Sequence, residues 1–469
     1  MDKLQNKNNK SSYASHSLAN THILVLGSGF AGIEVLRRLQ KEFRNNNSVD
    51  ITLISKDNFF LFTPMLHEVS TGMIETRHIV TPIRSFCNKA KFYEAEVESV
   101  DLNTKEVLTN HIIGKQFSPY DWHKHKFKYD YLAIALGNET NFFGMDDVKQ
   151  QSFTMKTIDD AIILRNHILN VLEQASIEQD NKELRESLLT FVIVGGGFGG
   201  VETVGGLNDF IRETVREFYK NIYMTEIRII LVSGEDKILS EIDEELGKFA
   251  LEKLKDNGVE FIINTHANGA GKNSLKLDNG TTIFCHTIVW TAGITSEPLI
   301  KHLPCKHDKA ERIQTNSYLE VEEFPGVYAV GDCASIPNPK TGKPYPPTAQ
   351  HAIREGRTAA ENIISEIKEG EKKKRRGKRT KKAKLDYKTK GIMANIGNRN
   401  GVAIIFGIKV HGFIAWFLWR TFYLSNLPTI KKKLKVMTDW TMDLIFKPDV
   451  AMIKGITRYA RKEKKDNRK

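Results

Sequence analysis

Cysteine is scarce. Among 469 residues there are four, Cys87, Cys285, Cys305 and Cys333, with no CxxC pair. That excludes a disulfide-stapled secreted scaffold and offers no metal-ligand spacing, so no metal is expected. No window of 18 uncharged apolar residues occurs, and a conventional membrane-spanning helix is not expected. Residues 1–20 have no apolar h-region, which excludes a secretory signal there. They also lack the Arg content and apolar helical face of a mitochondrial presequence, and read as a disordered tail. Hydrophobic residues make up 40% of the chain, enough for large cores, and its length favours two or more domains.

The net charge of +12 is unevenly spread. Residues 368–390 carry +10 and residues 431–469 carry +8, leaving the remainder at −6. A mildly acidic body with basic C-terminal segments points to an anionic surface as partner. Residues 368–390 cannot build a core and read as a loop that lies on lipid headgroups, binds nucleic acid loosely or is simply solvated. No base-reading element flanks them, so specific nucleic-acid recognition is not expected.

Two stretches share one grammar. His22–Leu26 reads as a buried strand, followed by Gly27-Ser28-Gly29-Phe30-Ala31-Gly32, a helix and a second strand at Asp50–Ile54. Leu189–Val194, Gly195-Gly196-Gly197-Phe198-Gly199-Gly200, a helix and Ile227–Val232 repeat it. This is βαβ patterning with a parallel sheet, and Asp159–Ala175 reads as a connecting helix. A glycine-rich turn after a strand lets the backbone approach a pyrophosphate, while the next helix's amides and dipole favour its charge. One such turn is weak evidence; two in full strand–turn–helix context indicate two nucleotide sites. Three more strands end in glycine: Tyr131–Gly137, Ile288–Gly293 and Gly326–Gly331, the last followed by Asp332. A carboxylate there can accept hydrogen bonds from sugar-alcohol hydroxyls.

The order of these five motifs resembles flavoproteins with two dinucleotide-binding domains. More narrowly, the chain resembles type II, non-proton-pumping NADH:quinone dehydrogenases. The match rests on Phe59–Leu66 (FFLFTPML), Tyr328–Ala334 (YAVGDCA), Pro346–Ala352 (PPTAQHA) and the aromatic run Gly412–Arg420. It implies an α/β fold: two Rossmann-like domains of the glutathione-reductase-like FAD/NAD(P) kind, plus a C-terminal amphipathic helical membrane-binding segment. The expected partition is a tail (1–20), an FAD-binding domain in two parts (21–158 and 311–367), an NADH-binding domain (159–310), a basic loop (368–390) and a membrane-anchoring segment (391–469).

The resemblance implies that Gly27, Gly29, Phe30, Ala31 and Gly32 cradle the FAD pyrophosphate. Ser55 and Lys56 stand where a ribose-binding acid is usual. Val97 would sit near the adenine, Thr63 and Pro64 near the flavin ring, Ala135 and Gly137 at a neighbouring strand end, and Gly331 and Asp332 at the ribityl chain. Gly195, Gly197, Phe198, Gly199 and Gly200 would take the NADH pyrophosphate, with Ala292 and Gly293 beside it. Ser233 replaces the usual carboxylate and Lys237 is near, so NADPH is not excluded. Ala349 and Gln350 would lie beside the flavin at the quinone entrance, with His351 and Arg354 on the quinone. Arg354 replaces a usual Gln; it could grip a quinone carbonyl, pair with Glu355 or meet a lipid phosphate. Glu202 is either a carboxylate beside flavin and nicotinamide or a first-turn residue favoured by the helix dipole. His351 is either a proton relay or a helix-surface histidine.

The implied activity is hydride transfer from NADH to FAD and two-electron reduction of a membrane quinone. Glu202 and Gln350 are the catalytic candidates, and a homodimer is expected. A sulfide:quinone oxidoreductase, a related rival, would need a cysteine pair beside the flavin; another NAD(P)H-dependent flavin reductase also remains open. A nucleotide-sensing binding protein would not explain Pro346–Ala352. Ile430, Leu434, Met437, Thr441, Leu444 and Ile445 recur at near-helical spacing, with Lys431, Lys432, Lys433 and Lys435 mostly elsewhere around the helix. That pattern reads as an in-plane amphipathic helix on anionic lipid or as an interface helix. Peripheral attachment to the cytoplasmic side of a cell membrane is expected.

Overall fold

The computed structural model describes residues 21–110, 124–373, 382–389 and 391–452. The expected tail, nine residues of the expected basic loop (374–381 and 390) and residues 111–123 and 453–469 lie outside the described residues, while residues 368–373 of that loop are helical instead.

Strand β1 (Thr21–Leu26) leads through the first glycine turn into α1 (Phe30–Glu42) and back to β2 (Val49–Ser55). β3 (Lys91–Glu94) and β4 (Tyr131–Ile134) follow. β1, β2 and β4 are largely apolar on both faces, as a sheet covered on two sides requires, whereas the edge strand β3 buries only Phe92; Val25, Leu26, Leu53 and Ile54 are fully buried. The chain then builds a second parallel sheet from β5 (Thr190–Val194), β6 (Arg228–Val232), β7 (Val259–Ile262) and β8 (Thr287–Trp290), in order β7-β6-β5-β8. Afterwards it returns to the first sheet with β9 (Val327–Ala329), completing the all-parallel order β9-β4-β1-β2-β3.

The helices have legible causes. α2 (Leu66–Ser70) follows the Phe59–Met65 run directly. α3 (Ile158–Ile177) opens with a capping box between Thr157 and Asp160 and spans the expected connecting helix. α4 (Phe198–Phe218) follows the second glycine turn. α5 (Ala349–Lys373) lies against α1, where a Cβ on Gly356 would stand 2.4 Å from the Ala31 carbonyl oxygen.

The C-terminal segment departs from a purely helical expectation. Its first part is an antiparallel sheet of β10 (Gly391–Asn395), β11 (Gly401–Ile405) and β12 (Ile408–His411). Short runs such as Gly-Val-Ala-Ile-Ile carry no periodicity that separates strand from helix. The hairpin turns use positive φ at Asn398 and Arg399, and at Phe406 and Gly407. This sheet docks backbone to backbone on α4: a Cβ on Gly205 would lie 2.6 Å from Ile396 C, and one on Gly397 would lie 2.6 Å from Gly205 O. Two helices follow, α6 (Gly412–Asn426) and α7 (Ile430–Ile445). Among the described residues, no helix is long and apolar enough to cross a membrane.

Candidate functional site

The two glycine turns are built alike. Gly27 sits at φ +96°, and a Cβ there would stand 2.2 Å from Ala135 O. One on Gly32 would stand 2.0 Å from Gly27 O. These two glycines are demanded by the fold. Gly29 is different: nothing lies within 4 Å of its Cβ position. In the second turn Gly195 (φ +124°), Gly196 and Gly200 are crowded, a Cβ on Gly200 falling 1.8 Å from Gly195 O and one on Gly196 2.4 Å from Ser233 Oγ. Gly199 again faces open space, and Gly197 meets only Glu241 Oε1 at 3.7 Å. The open positions are cradles that a side chain would fill, which fits a pyrophosphate against the N-terminus of α1 and of α4.

A cleft of about 360 Å³ lies between the two sheets' units. It gathers Thr63, Pro64 and Asp332, which the resemblance assigned to FAD, with Gly199, Glu202 and Gly293, which it assigned to NADH. Asp332 accepts a hydrogen bond from Asn138 Nδ2 (3.0 Å), and Lys156 Nζ bonds the Asn138 carbonyl oxygen. Burial raises the Asp332 carboxyl and lowers the Lys156 ammonium from their usual pKa values. Neither Asn138 nor Lys156 was singled out from sequence; the usable signal was a lone Lys before the Thr157 capping box. Gly331 (φ +74°) and Gly137 (φ +79°) turn the two strand ends toward this cleft's Asp332 wall.

Other nominated residues are engaged with protein. Ser55 Oγ lies 2.8 Å from Ser28 Oγ, both buried, and Lys56 stands 3.8 Å from Glu297. Val97 sits just beyond Ala95, whose amide bonds Ser55 O. Ser233 is buried under Gly196 and accepts the Glu235 amide (3.2 Å). Ala292 packs its amide against Gly195. Phe30 makes edge contacts with Phe60 and Phe62, and Ala31 supports α5.

Glu202 retains 15% side-chain exposure. Its Oε1 accepts from Trp419 Nε1 (2.9 Å) and from the Asn395 amide (3.1 Å). Burial dominates and pushes its pKa up to about 8. The neighbouring His67, 3.9 Å away, is lowered to about 4 by burial and is neutral, so the contact is not an ion pair. Glu68 is also buried and raised to about 7; it accepts from Trp440 Nε1 (3.0 Å) and faces Arg420 at 3.8 Å. The Arg420 guanidinium lies between the rings of Trp416 (4.3 Å) and Trp440 (4.7 Å). His67 and Glu68 directly follow the FFLFTPML run, and two polar residues inside an apolar stretch were the missed signal.

At the start of α5, Ala349 leads into Gln350, which donates to Gly391 O (3.1 Å) and accepts from Tyr387 OH (3.0 Å). His351 is not a surface histidine: it is 3% exposed, 2.7 Å from Thr348 Oγ1, and set between Tyr345 and Tyr387. Burial lowers its pKa, leaving it neutral at pH 7. Arg354 does not pair with Glu355; it lies over the Tyr387 ring at 5.2 Å, while Glu355 accepts the Gly331 amide (2.7 Å). Gln350, His351 and Arg354 thus converge on Tyr387, outside the 360 Å³ cleft, with Glu355 linking their helix to the Asp332 turn.

Comparison with known proteins decides the family. A "Probable NADH dehydrogenase" of Dictyostelium discoideum is 32% identical over 436 residues, covering 92% of each chain. A "Type II NADH:quinone oxidoreductase Ndh" of Mycobacterium tuberculosis is 30% identical, covering 90% of this chain and 88% of that one. This chain belongs to the type II NADH:quinone oxidoreductase family. The pyridine nucleotide-disulphide oxidoreductase family model matches residues 21–356, and the NDH2 C-terminal domain model matches 389–449. Among solved structures, NDH2 from Plasmodium falciparum in complex with NADH has the same fold: TM-score 0.83 at 22% identity, covering 92% of this chain and all of that one. As a member of the type II family, the chain is an oxidoreductase.

Proposed function

We propose that the chain is a non-proton-pumping, FAD-dependent NADH:quinone oxidoreductase whose redox centre is the cleft between the two glycine turns. The observation that carries this is the convergence of Thr63, Pro64, Glu202, Gly293 and Asp332 on one cavity between two open phosphate cradles. Gly27, Gly29 and Gly32 with Asp332 would hold FAD; Gly195, Gly197, Gly199 and Gly200 would hold NADH. Bound there, FAD would supply the two-electron redox chemistry that links NADH to the quinone. The chain's own residues orient the two cofactors, exclude water and keep a protonated carboxyl at Glu202 Oε. The domain partition (21–158 with 311–367, and 159–310) follows the return of β9 to the first sheet. With Ser233 tied down beneath Gly196 and no carboxylate at that position, NADPH stays an admissible second donor.

Rapid mixing with NADH should bleach the bound flavin within the turnover time, and sulfide should not; bleaching by sulfide alone would overturn the reading. All four cysteines are free, and none lines the cleft among the described residues. This argues against the sulfide:quinone rival.

On the quinone side, Gln350, His351 and Arg354 around Tyr387 form the proposed entrance. Gln350→Leu should slow flavin reoxidation by quinone about tenfold or more while leaving NADH bleaching near its original rate. Equal slowing of both steps would remove Gln350 from the quinone.

The proposed location is the cytoplasmic-side surface of a membrane, where aqueous NADH and a lipid-soluble quinone can both reach the cleft. Support comes from α6 and α7. Phe413, Ile414 and Phe417 are each more than half exposed, as are Ile430, Leu434 and Ile445; Met437 and Leu444 are nearly so. The aromatic run is therefore not uniformly lipid-facing: Trp416 and Trp419 are buried in the protein. Deleting everything from Gly401 would tear these out of the core, so a surface variant is the cleaner test. Each buried Ile, Leu or Met side chain contributes about 1.5–3 kcal/mol. Ile430→Gln/Leu434→Gln/Met437→Gln should cut vesicle partitioning about a hundredfold or more. Unchanged sedimentation with vesicles would refute the anchor. A homodimer belongs to the same proposal and rests on the family resemblance.

A further inference from the structure

Away from the redox cleft, a cavity of about 1090 Å³ opens beside the α6–α7 junction. Its walls carry Arg37, Arg38, Lys41, Arg44, Lys89 and Arg357; among the described residues lining it, Glu34 is the one acid. This is unusual in a body that is net negative outside its two basic segments. Glu34 is already shared: Arg357 holds it at 3.0 Å and Arg38 stands 3.7 Å away. Arg37, Lys41 and Arg44 have no acidic partner among the described residues. Arg37 and Lys41 are like charges four residues apart on α1, a mildly destabilising spacing unless an anion offsets it.

The opposite wall is constructed rather than incidental. Buried Gln40 accepts the amides of Asn88, Lys89 and Ala90 (2.8, 2.8 and 3.0 Å) and donates to Phe86 O (2.9 Å). It thereby fixes the loop carrying Lys89, whose Nζ donates to Asn46 O. The rim is Pro428 and Thr429, immediately before Ile430, which is 75% exposed at the head of the apolar face of α7. Cationic walls and an apolar edge at one mouth match an amphiphile with an anionic head.

We propose that this cavity binds the phosphate-bearing headgroup of an anionic phospholipid, whose acyl chains run out beside Ile430. The site is separate from the amphipathic helix face and gives the protein headgroup selectivity, where the helix face supplies apolar insertion. The proposal rests on the membrane reading above. It adds Arg37, Lys41, Arg44 and Lys89, none of which belongs to the C-terminal segment.

The test is flotation of the full-length holoenzyme with vesicles of phosphatidylcholine, with and without phosphatidylglycerol. The variant, called the α1 variant, is Arg37→Gln/Lys41→Gln/Arg44→Gln, three exposed changes on α1 and the turn that follows it. A control, Lys182→Gln/Lys248→Gln/Lys253→Gln, removes the same charge from exposed positions around the second sheet. Each basic residue near anionic lipid changes partitioning about fivefold, so the α1 variant should lose roughly a hundredfold on phosphatidylglycerol vesicles. The control should change by no more than about twofold, and binding to pure phosphatidylcholine should be unaltered in both. If wild type and α1 variant bind phosphatidylglycerol equally, the headgroup site is overturned and the helix anchor stands. If wild type floats with neither vesicle, the membrane reading itself falls. Calorimetric titration with inorganic phosphate completes the set. Saturable binding lost in the α1 variant, with flotation unchanged, would make the cavity a site for free phosphate and overturn lipid as its occupant.

Discussion

A Gly29→Val protein is expected to fold normally and to purify without colour. Gly29 sits at φ −71°, ψ −170°, a conformation open to any residue, and nothing lies within 4 Å of its Cβ position. As the residue before α1 it gives up little in capping, since a glycine there has no side-chain bond to lose. The protein itself has no use for the emptiness; a pyrophosphate between the turn and the helix amides does. Hydrogen bonds to a charged group are each worth about 1.5–3 kcal/mol. Displacing two or more should therefore reduce retained flavin by at least about a hundredfold in affinity. Absorbance per protein, with circular dichroism as the folding control, reads the outcome. Gly199→Val should keep its flavin yet bleach slowly with NADH, because its open space belongs to the other turn. Gly32→Val should fail to fold, since its Cβ would collide with Gly27 O. Full flavin content in Gly29→Val would dismantle the cradle assignment.

The second large effect concerns Glu202. At about 8, its pKa keeps it mainly protonated at pH 7, so it can give a proton to a reduced quinone. A Gln there still accepts from Trp419 and Asn395 through its carbonyl oxygen but carries no acidic proton. Positioned acids contribute about 10²–10⁴ in rate, so Glu202→Gln should slow the quinone step at pH 7 by about a hundredfold. NADH bleaching should change far less. The wild-type quinone step should fall tenfold per pH unit above pH 8, and the variant should be flat there. A wild-type alkaline limb that persists in the variant would assign the proton to another group.

Stability carries the same signature. Glu202 near 8, and Glu68 and Glu355 near 7, hold protons in the folded state that the unfolded chain releases near 4.5. Their contribution is complete below pH 4.5 and is lost as pH rises through 7 to 8. The melting temperature should therefore be higher at pH 6 than at pH 9, with a smaller drop in Glu202→Gln.

Much of this architecture was legible in the residues themselves. Strands apolar on both faces and ending in glycine mark parallel sheets, and the five such ends fall where β1, β4, β5, β8 and β9 lie. The two glycine turns were equally plain, because a tight turn and a close helix leave no alternative side chain. Long-range partners were not legible. Nothing local says that Trp419 reaches Glu202 across 217 positions, or that Tyr387 gathers Gln350, His351 and Arg354. Which rings of the aromatic run face inward was not legible for the same reason. Exposed and protein-facing rings alternate on α6, and composition does not distinguish them. Gly205 gives no local sign of its role; its absent side chain is what admits the C-terminal sheet.

That alternation ties attachment to chemistry. Phe417 points outward and Trp419 inward on one stiff helix, so the greasy ring and the indole clasping Glu202 cannot shift independently. Under the membrane attachment proposed above, any tilt of α6 would be levered onto the carboxyl's hydrogen bond, and its proton affinity would become a property of where the chain is moored.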